Sequence, residues 1–514
     1  MTTDDPVAET TYGPVRGISG SRALAWKGIP YAAPPVGDLR FRAPQPPKPW
    51  TEVADGGRYG FVCPQPPVPV FPLDLGADQD EDCLSVNIWA PSGTKPGDGK
   101  PVMVWVHGGA YVLGSGSQPL YDGRRLSSEG DVVVVTLNYR LGVFGFLDLF
   151  GMGSGRRQFD SNVGLRDVLA ALAWVRDNIA AFGGDPARVT LFGESAGAGV
   201  VTALLAVPQA EGLFAAAIAQ SSPATSVYTH DRAQRVTHMV LDHLGIAAAD
   251  AGQLVHVDVR SLISATKQVF DEIPLRSPGT VAFVPVIDGD LLHDYPVQAA
   301  REGRTHPVPL IIGTNKNEAA LFRLMRSPLL PITPRAITSM FNDIAAEQPD
   351  MALPTVEELS SSYARYRGSG SGLSIASDVG FRMPSVWLAE GHSRVAPVYL
   401  YRFDYATPIM KLLLVGAAHA TELPYVWGTL GAPKDVTLKL GGTKSAKSVS
   451  KRMRSRWVNF AASAKPVGLP DDPEWSPYQE ADRACLVINH EDRIIYDSDA
   501  KIREAWGSDI LHFR

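Results

Sequence analysis

Apolar residues in this chain follow two kinds of pattern. Two nearly unbroken runs come early, Val102-Met103-Val104-Trp105-Val106 and Val132-Val133-Val134-Val135-Thr136-Leu137. Both are short, rich in β-branched residues and bounded by turn-forming or polar residues, as strands buried on both faces of a parallel sheet read. Between Val163 and Phe182 the repeat lengthens. Leu165, Leu169, Leu172 and Val175 recur at the spacing of one helix face. Gly183-Gly184-Asp185-Pro186 stops that helix. Val189-Thr190-Leu191-Phe192 then predicts a strand, and Ala196 to Ala206 another helix. Alternation of strand and helix implies a doubly wound, mostly parallel sheet with helices on both faces.

Further strands are predicted at Val308–Ile312, Val398–Phe403 and Cys485–Asn489, so the C-terminal part completes the sheet. Residues 320–395 read mainly as helices, interrupted by a Ser/Gly-rich break at Gly368-Ser369-Gly370-Ser371-Gly372. The expectation is one elaborated domain over 1–514, with helical insertions roughly within 320–395 and 405–460. The basic segment Lys434–Arg456 reads as a solvated loop and helix face.

Composition narrows the picture by exclusion. Of 514 residues, 45% are hydrophobic and 20% charged, as in ordinary globular proteins. A net charge of −6 leaves no nucleic-acid footprint. No stretch approaches the roughly 20 apolar residues of a membrane span. Met1-Thr2-Thr3-Asp4-Asp5-Pro6 has neither the basic nor the apolar part of a secretory leader. A cytoplasmic protein is expected; a secreted mature form also fits, since a cleaved leader leaves no trace. Cys63, Cys83 and Cys485 lie too far apart for a cysteine-rich zinc site. Closure of a loop by Cys63 and Cys83, or three buried thiols in a reducing compartment, both fit.

The candidate chemistry centres on Gly193-Glu194-Ser195-Ala196-Gly197, the one Gly-x-Ser-x-Gly match in a chain with 48 glycines. It sits between a predicted strand and a predicted helix. A serine hydroxyl needs a base and a stabilised oxyanion to act as a nucleophile. A tight strand-to-helix turn lifts it clear of the backbone, and the crowding explains the glycines at both ends. A turn that merely packs helix on sheet is the competing reading. The strand at 102–106 supplies an independent check, because it runs into His107-Gly108-Gly109-Ala110-Tyr111. Small residues there let backbone amides approach a substrate oxygen. The expected oxyanion donors are the N–H groups of Gly109, Ala110 and Ala196. His107 is expected to support this loop instead of serving as base.

With these motifs the chain resembles the type-B carboxylesterase family, which includes cholinesterases and bacterial para-nitrobenzyl esterases. The resemblance spans nearly the whole chain. It rests on Lys27–Pro35, Glu81–Trp89, Asn138-Tyr139-Arg140-Leu141-Gly142, Ala181–Pro186 and Phe192–Gly197, in that order. It implies the α/β-hydrolase fold and a metal-free, cofactor-free serine esterase acting on a small ester. It also implies structural ion pairs Arg40–Glu81 and Arg140–Asp167, and sets Cys63 and Cys83 at the family's N-terminal disulfide position. Whether that bond forms depends on the compartment. Monomer and homodimer are both compatible.

In this fold the acid precedes the histidine, and both follow the serine. The family's histidine lies in a Gly-x-x-His-Gly-x-Glu loop, matched by Gly416–Glu422 except at Ala420, so the resemblance assigns His419 as base. His490, after the last predicted strand, is the rival and is read as a surface or strand-end histidine. The acid is Glu318, in Gly313-Thr314-Asn315-Lys316-Asn317-Glu318 beyond the strand at 308–312. Asp288 is assigned to a structural turn. Glu194 is expected to be a buried ion-pair or support residue, too constrained by the turn to reach the base. Three departures stand out. Val200 replaces a serine usual five residues after the nucleophile, and Ala110 and Ala420 replace frequent glycines. The Gly108–Tyr111 sequence is similar to oxyanion motifs of roomy sites that admit tertiary-alcohol esters.

Between Cys63 and Cys83 only Phe71 is aromatic, so the cation–π site of cholinesterases, worth ~0.5–2 kcal/mol, is not evident. Thr280–Pro285 aligns loosely with an acyl-pocket wall and is mostly small. A neutral, largely apolar ester is expected. An amidase or carbamate hydrolase with the same triad is the alternative. A non-catalytic adhesion protein of this fold is disfavoured, since all three triad residues are present.

Overall fold

The computed structural model describes residues 5–68, 72–152, 159–351, 353–363, 369–431, 436–497, 500–507 and 509–513. Eleven strands form the main sheet: β1 (Ile18–Ser19), β2 (Ala23–Pro30), β3 (Ser85–Pro91), β4 (Lys100–Val106), β5 (Val133–Leu137), β6 (Gly184–Glu194), β7 (Ala216–Gln220), β8 (Leu310–Asn315), β9 (Val398–Phe403), β10 (Ala484–Ile488) and β11 (Arg493–Tyr496). Their spatial order is β11-β10-β9-β8-β7-β6-β4-β5-β3-β2-β1. The run from β10 to β5 is parallel, and both margins are antiparallel. This is the mixed sheet of an α/β-hydrolase.

The early apolar runs form β4 and β5, paired as Val102↔Val133 and Val104↔Val135. Side chains alternate between two cores. Val102, Val104 and Val106 join one, and Met103 and Trp105 the other. The predicted long helix is α1 (Val163–Asn178), tightened into a 3₁₀ turn over Ile179–Phe182 and capped at Gly183 with φ 83°. Strand β6 is longer than its apolar stretch, because pairing begins at Lys100↔Gly184. Helix α2 (Ala196–Leu204) follows it directly and is buried along its whole length.

Residues 320–395 are mainly helical, including α3 (Ala319–Met325) and α4 (Ser369–Ser377). The expected Ser/Gly break is corrected, since Ser369 through Gly372 open α4; Gly368 lies outside the described residues. A Cβ at Gly372 would stand 2.2 Å from the Ile332 carbonyl oxygen, so this glycine serves close packing. Helices α5 (Pro408–Leu412) and α6 (Thr443–Ser463) come later. The basic segment also needs correction. Lys444, Lys447 and Lys451 are exposed, but Arg454 and Arg456 are buried. Arg456 pairs with Asp492, and with Asp472 at 3.5 Å; Lys434 lies outside the described residues.

The two implied ion pairs are present. Arg40 meets Glu81 at 2.5 Å, and Arg140 meets Asp167 at 2.6 Å with both side chains buried. At the implied disulfide position Cys63 and Cys83 are buried free thiols in contact with each other. A hydrogen bond with Cys63, and then burial, push the Cys83 thiol well above its ordinary value. Phe71 and Met1 to Asp4 lie outside the described residues. Among the described residues no helix is long and apolar enough to cross a membrane.

Candidate active site

Ser195 sits between the last residue of β6 and the first of α2, at φ 56° and ψ −126°. That conformation is costly for a residue with a side chain, so its surroundings must enforce it. The Ser195 amide donates to the Gln220 carbonyl at 2.9 Å. A Cβ at Gly193 would lie 2.6 Å from the Gly197 carbonyl carbon, and one at Gly197 would lie 2.1 Å from the Val106 oxygen. Both glycines are therefore required by the turn, as the motif suggested.

The end of β4 packs beside it. A Cβ at Gly108 would come within 3.0 Å of the Ser195 Cβ. Gly109, Ala110 and Tyr111 all adopt positive φ, of 118°, 53° and 61°. This unusual run turns the segment back on itself, with the Val112 amide bonding to the Gly109 carbonyl at 3.0 Å. The amides of Gly109, Ala110 and Ala196 donate to no protein acceptor among the described residues. Ala110, Ser195 and Ala196 border the same cleft. His107 stands behind the loop: its Nδ1–H bonds to the Gly108 carbonyl at 2.9 Å and its ring stacks on Tyr139. Burial lowers its pKa to about 4, so it is a neutral support.

Two more segments converge on Ser195. His419 Nε2 is 2.8 Å from Ser195 Oγ, and His419 Nδ1 is 2.7 Å from Glu318 Oε2. Glu318 follows β8 and is fully buried. Its other oxygen accepts from the Ser221 hydroxyl at 2.6 Å and the Asn315 amide at 2.6 Å. The His419 loop is tied to the same strand end, because Asn315 Nδ2 donates to the Ala418 carbonyl at 2.7 Å. Phe381 and Phe322 flank the imidazole, with ring centroids at 4.5 and 5.2 Å. Ala420 holds φ 63°, so the departure from glycine keeps the left-handed geometry.

Glu194 is buried and ion-paired as expected, but the expectation that it cannot reach the base is corrected. Its Oε1 lies 3.2 Å from His419 Nε2. The turn does not have to bend for this, because the loop before His419 carries the ring to the carboxylate. Burial raises the Glu194 pKa, against the attraction of the imidazole. Burial by itself would lower the His419 pKa, but the Glu194 and Glu318 carboxylates outweigh it and raise the value. The two groups titrate as a unit. Glu422 is buried close by, held by Gln220 Nε2 at 3.0 Å and Asn315 Nδ2 at 2.5 Å.

His490 and Asp288 stand apart. His490 is exposed and bonds to Ser445 Oγ at 2.6 Å, while Asp288 accepts the Leu291 and Leu292 amides of a turn. Ser221 escaped the sequence reading; its position at the carboxyl end of β7 was the available signal. It holds the acid from a different strand, whereas Val200 is fully buried. The cleft over Ser195 is lined mainly by apolar atoms. Gly279 and Val281 border it on one side, Phe322 and Phe381 on another, and Leu511, His512 and Phe513 close the far wall.

A family model described as the carboxylesterase family matches residues 4–504. The para-nitrobenzyl esterase of Bacillus subtilis is 39% identical to this chain, over 97% of it and 98% of the relative. The phenmedipham hydrolase of Pseudarthrobacter oxydans is 32% identical, over 95% of each. Among solved structures, a PNB esterase superposes with a TM-score of 0.82 at 36% identity, covering 98% of this chain and all of that one. A Geobacillus stearothermophilus carboxylesterase gives 0.83 at 36%, covering 97% and 99%. A match of this length on an α/β-hydrolase sheet makes the chain a member of the type-B carboxylesterase family, an enzyme that hydrolyses carboxylic esters.

Proposed function

We propose that the chain cleaves neutral, mostly apolar carboxylic esters through an acyl-enzyme formed on Ser195. The observation that carries this reading is the relay from Ser195 Oγ to His419 Nε2 at 2.8 Å and from His419 Nδ1 to Glu318 at 2.7 Å, opening into an apolar cleft. Ser195 Oγ gives its proton to His419 Nε2 as it bonds to the ester carbonyl carbon. The carbonyl electrons move to the oxygen, which accepts the amides of Gly109, Ala110 and Ala196. Glu318 keeps the Nδ1–H tautomer and stabilises the imidazolium. The imidazolium then protonates the departing alkoxide. Water repeats the sequence, with His419 as base, and releases the acid. No step calls on a metal or a cofactor.

Apolar walls favour uncharged acyl and alcohol groups. Tertiary-alcohol esters are within this proposal because Ala110 keeps the open loop form beside Ser195. A fluorophosphonate followed by mass spectrometry should label Ser195. p-Nitrophenyl esters of rising chain length should turn over in wild type and not in Ser195→Ala. An unlabelled Ser195 would refute the nucleophile assignment. Absence of tert-butyl acetate hydrolysis while ethyl acetate turns over would remove the tertiary-alcohol part alone.

A further inference from the structure

Helix α5 and the two residues after it form the most apolar projection described on this protein. Leu412, Leu413 and Leu414 are 71%, 55% and 78% exposed, and Leu414 is held at φ 55°. Leu324 on α3 is 50% exposed, one helical turn beyond Leu321. The two elements are joined, since Leu321 and Met410 pack on one small cluster of Ala320, Val415 and Ala418. Single exposed leucines are ordinary, but three in succession, on a segment that shares a packing cluster with the helix of Leu324, form a patch that needs an occupant.

The charges carried by the two segments themselves have one sign. Arg323, Arg326 and Lys411 are exposed, with no carboxylate partner among the described residues. No Asp or Glu occurs in 319–333 or in 405–421, in a chain whose net charge is −6. A self-complementary dimer through this face would set each cation against its own copy, which disfavours a second chain as occupant. Exposed leucines on segments that carry only cations fit a surface with an apolar interior and anionic headgroups. Position strengthens the reading. Helix α3 starts next to Glu318 and supplies Phe322 to the cleft, and the α5 loop leads into His419.

We propose that Leu324, Lys411 and Leu412 to Leu414 form an interfacial docking surface for anionic lipid bilayers. Bound this way, the protein would sit with the flank of its cleft against the lipid phase, where apolar esters partition. That delivery role rests on the ester-hydrolase reading of the cleft; the docking itself does not.

Co-sedimentation with phosphatidylcholine vesicles, with and without phosphatidylglycerol, tests it. Wild type should bind the anionic vesicles at low salt, at least tenfold more strongly than the neutral ones. Leu412→Ser with Leu413→Ser and Leu414→Ser should lose that binding by tenfold or more, and Lys411→Glu several-fold. Both variants should keep hydrolysis of soluble p-nitrophenyl acetate within twofold, which also certifies that they fold. Wild type that stays in the supernatant, or a triple variant that binds equally well, would overturn the proposal. So would light scattering that finds a wild-type dimer and a monomeric triple variant. Vesicle binding by a wild type without esterase activity would leave the docking intact and refute the catalytic reading alone.

Discussion

The residues around Ser195 differ in how much of their role is local. Gly193, Gly197, Gly108 and Ser195 are legible because each is fixed by a turn or strand end that its own neighbours encode, whereas Glu318 and His419 were picked out by resemblance to the family's motifs. Glu194 and Ser221 were not legible in either way. Their contacts arise only once β6, β7 and β8 pair and the His419 loop folds over them. Removing the hydroxyl in Ser195→Ala should lower kcat by roughly 10⁶-fold, read as loss of burst and steady-state turnover. The carboxylate beside Nε2 makes a subtler prediction. His419 must be neutral to act as base, so kcat/KM should rise with pH through its raised pKa. Glu194→Gln removes a negative charge that stabilises the imidazolium. The rising limb should therefore move about one unit to lower pH, while kcat falls. A limb that stays in place would mean that Glu194 is already neutral where His419 titrates. Ser221→Ala leaves one Glu318 oxygen with only the Asn315 amide, and should lower kcat about tenfold or more with KM nearly unchanged.

At the scale of elements, apolar periodicity predicted the central strands and α1 well, since both faces of β4 and β5 are buried and the pattern has little else to encode. It failed where long-range partners decide. The basic stretch of α6 reads as solvated from its own composition. Yet Arg454 reaches Glu129 at 2.6 Å, and Arg456 reaches two aspartates in the segment after the helix. The glycines of α4 look like a break until Ile332 is seen against them. The Arg140–Asp167 pair ties the loop after β5 to α1, with Asp167 fully buried. Arg140→Ala would leave that carboxylate without its partner and should cost about 3–5 kcal/mol, measured as a lower urea midpoint. An unchanged midpoint would mean that Asp167 takes up a proton at little cost.

Across the whole molecule, the far wall of the cleft is made by residues within a few positions of the chain's end. The Tyr295 ring packs at a tilt against His512, centroids 4.0 Å apart, and its hydroxyl donates to the Phe513 carbonyl at 3.2 Å, while Arg232 covers the Phe513 ring at 4.4 Å. No sequence motif announces this, because Leu511-His512-Phe513 has no pattern of its own. Phe513→Ala should widen the cleft and shift preference toward longer p-nitrophenyl esters by several-fold in kcat/KM, with the rate on the acetate little changed. A uniform loss for all chain lengths would point to a general loosening instead.

The same breadth of assembly governs how activity is acquired. The relay joins residues 101 and 224 positions apart in sequence, through strands that run from about one third to about four fifths of the chain. Contacts of such long range form late in folding, after local helices and hairpins. Regain of turnover after dilution from denaturant should therefore lag behind recovery of helical circular dichroism. Hydrolysis then reports the last event of maturation, and a chain still being synthesised stays silent until its final strands are in place.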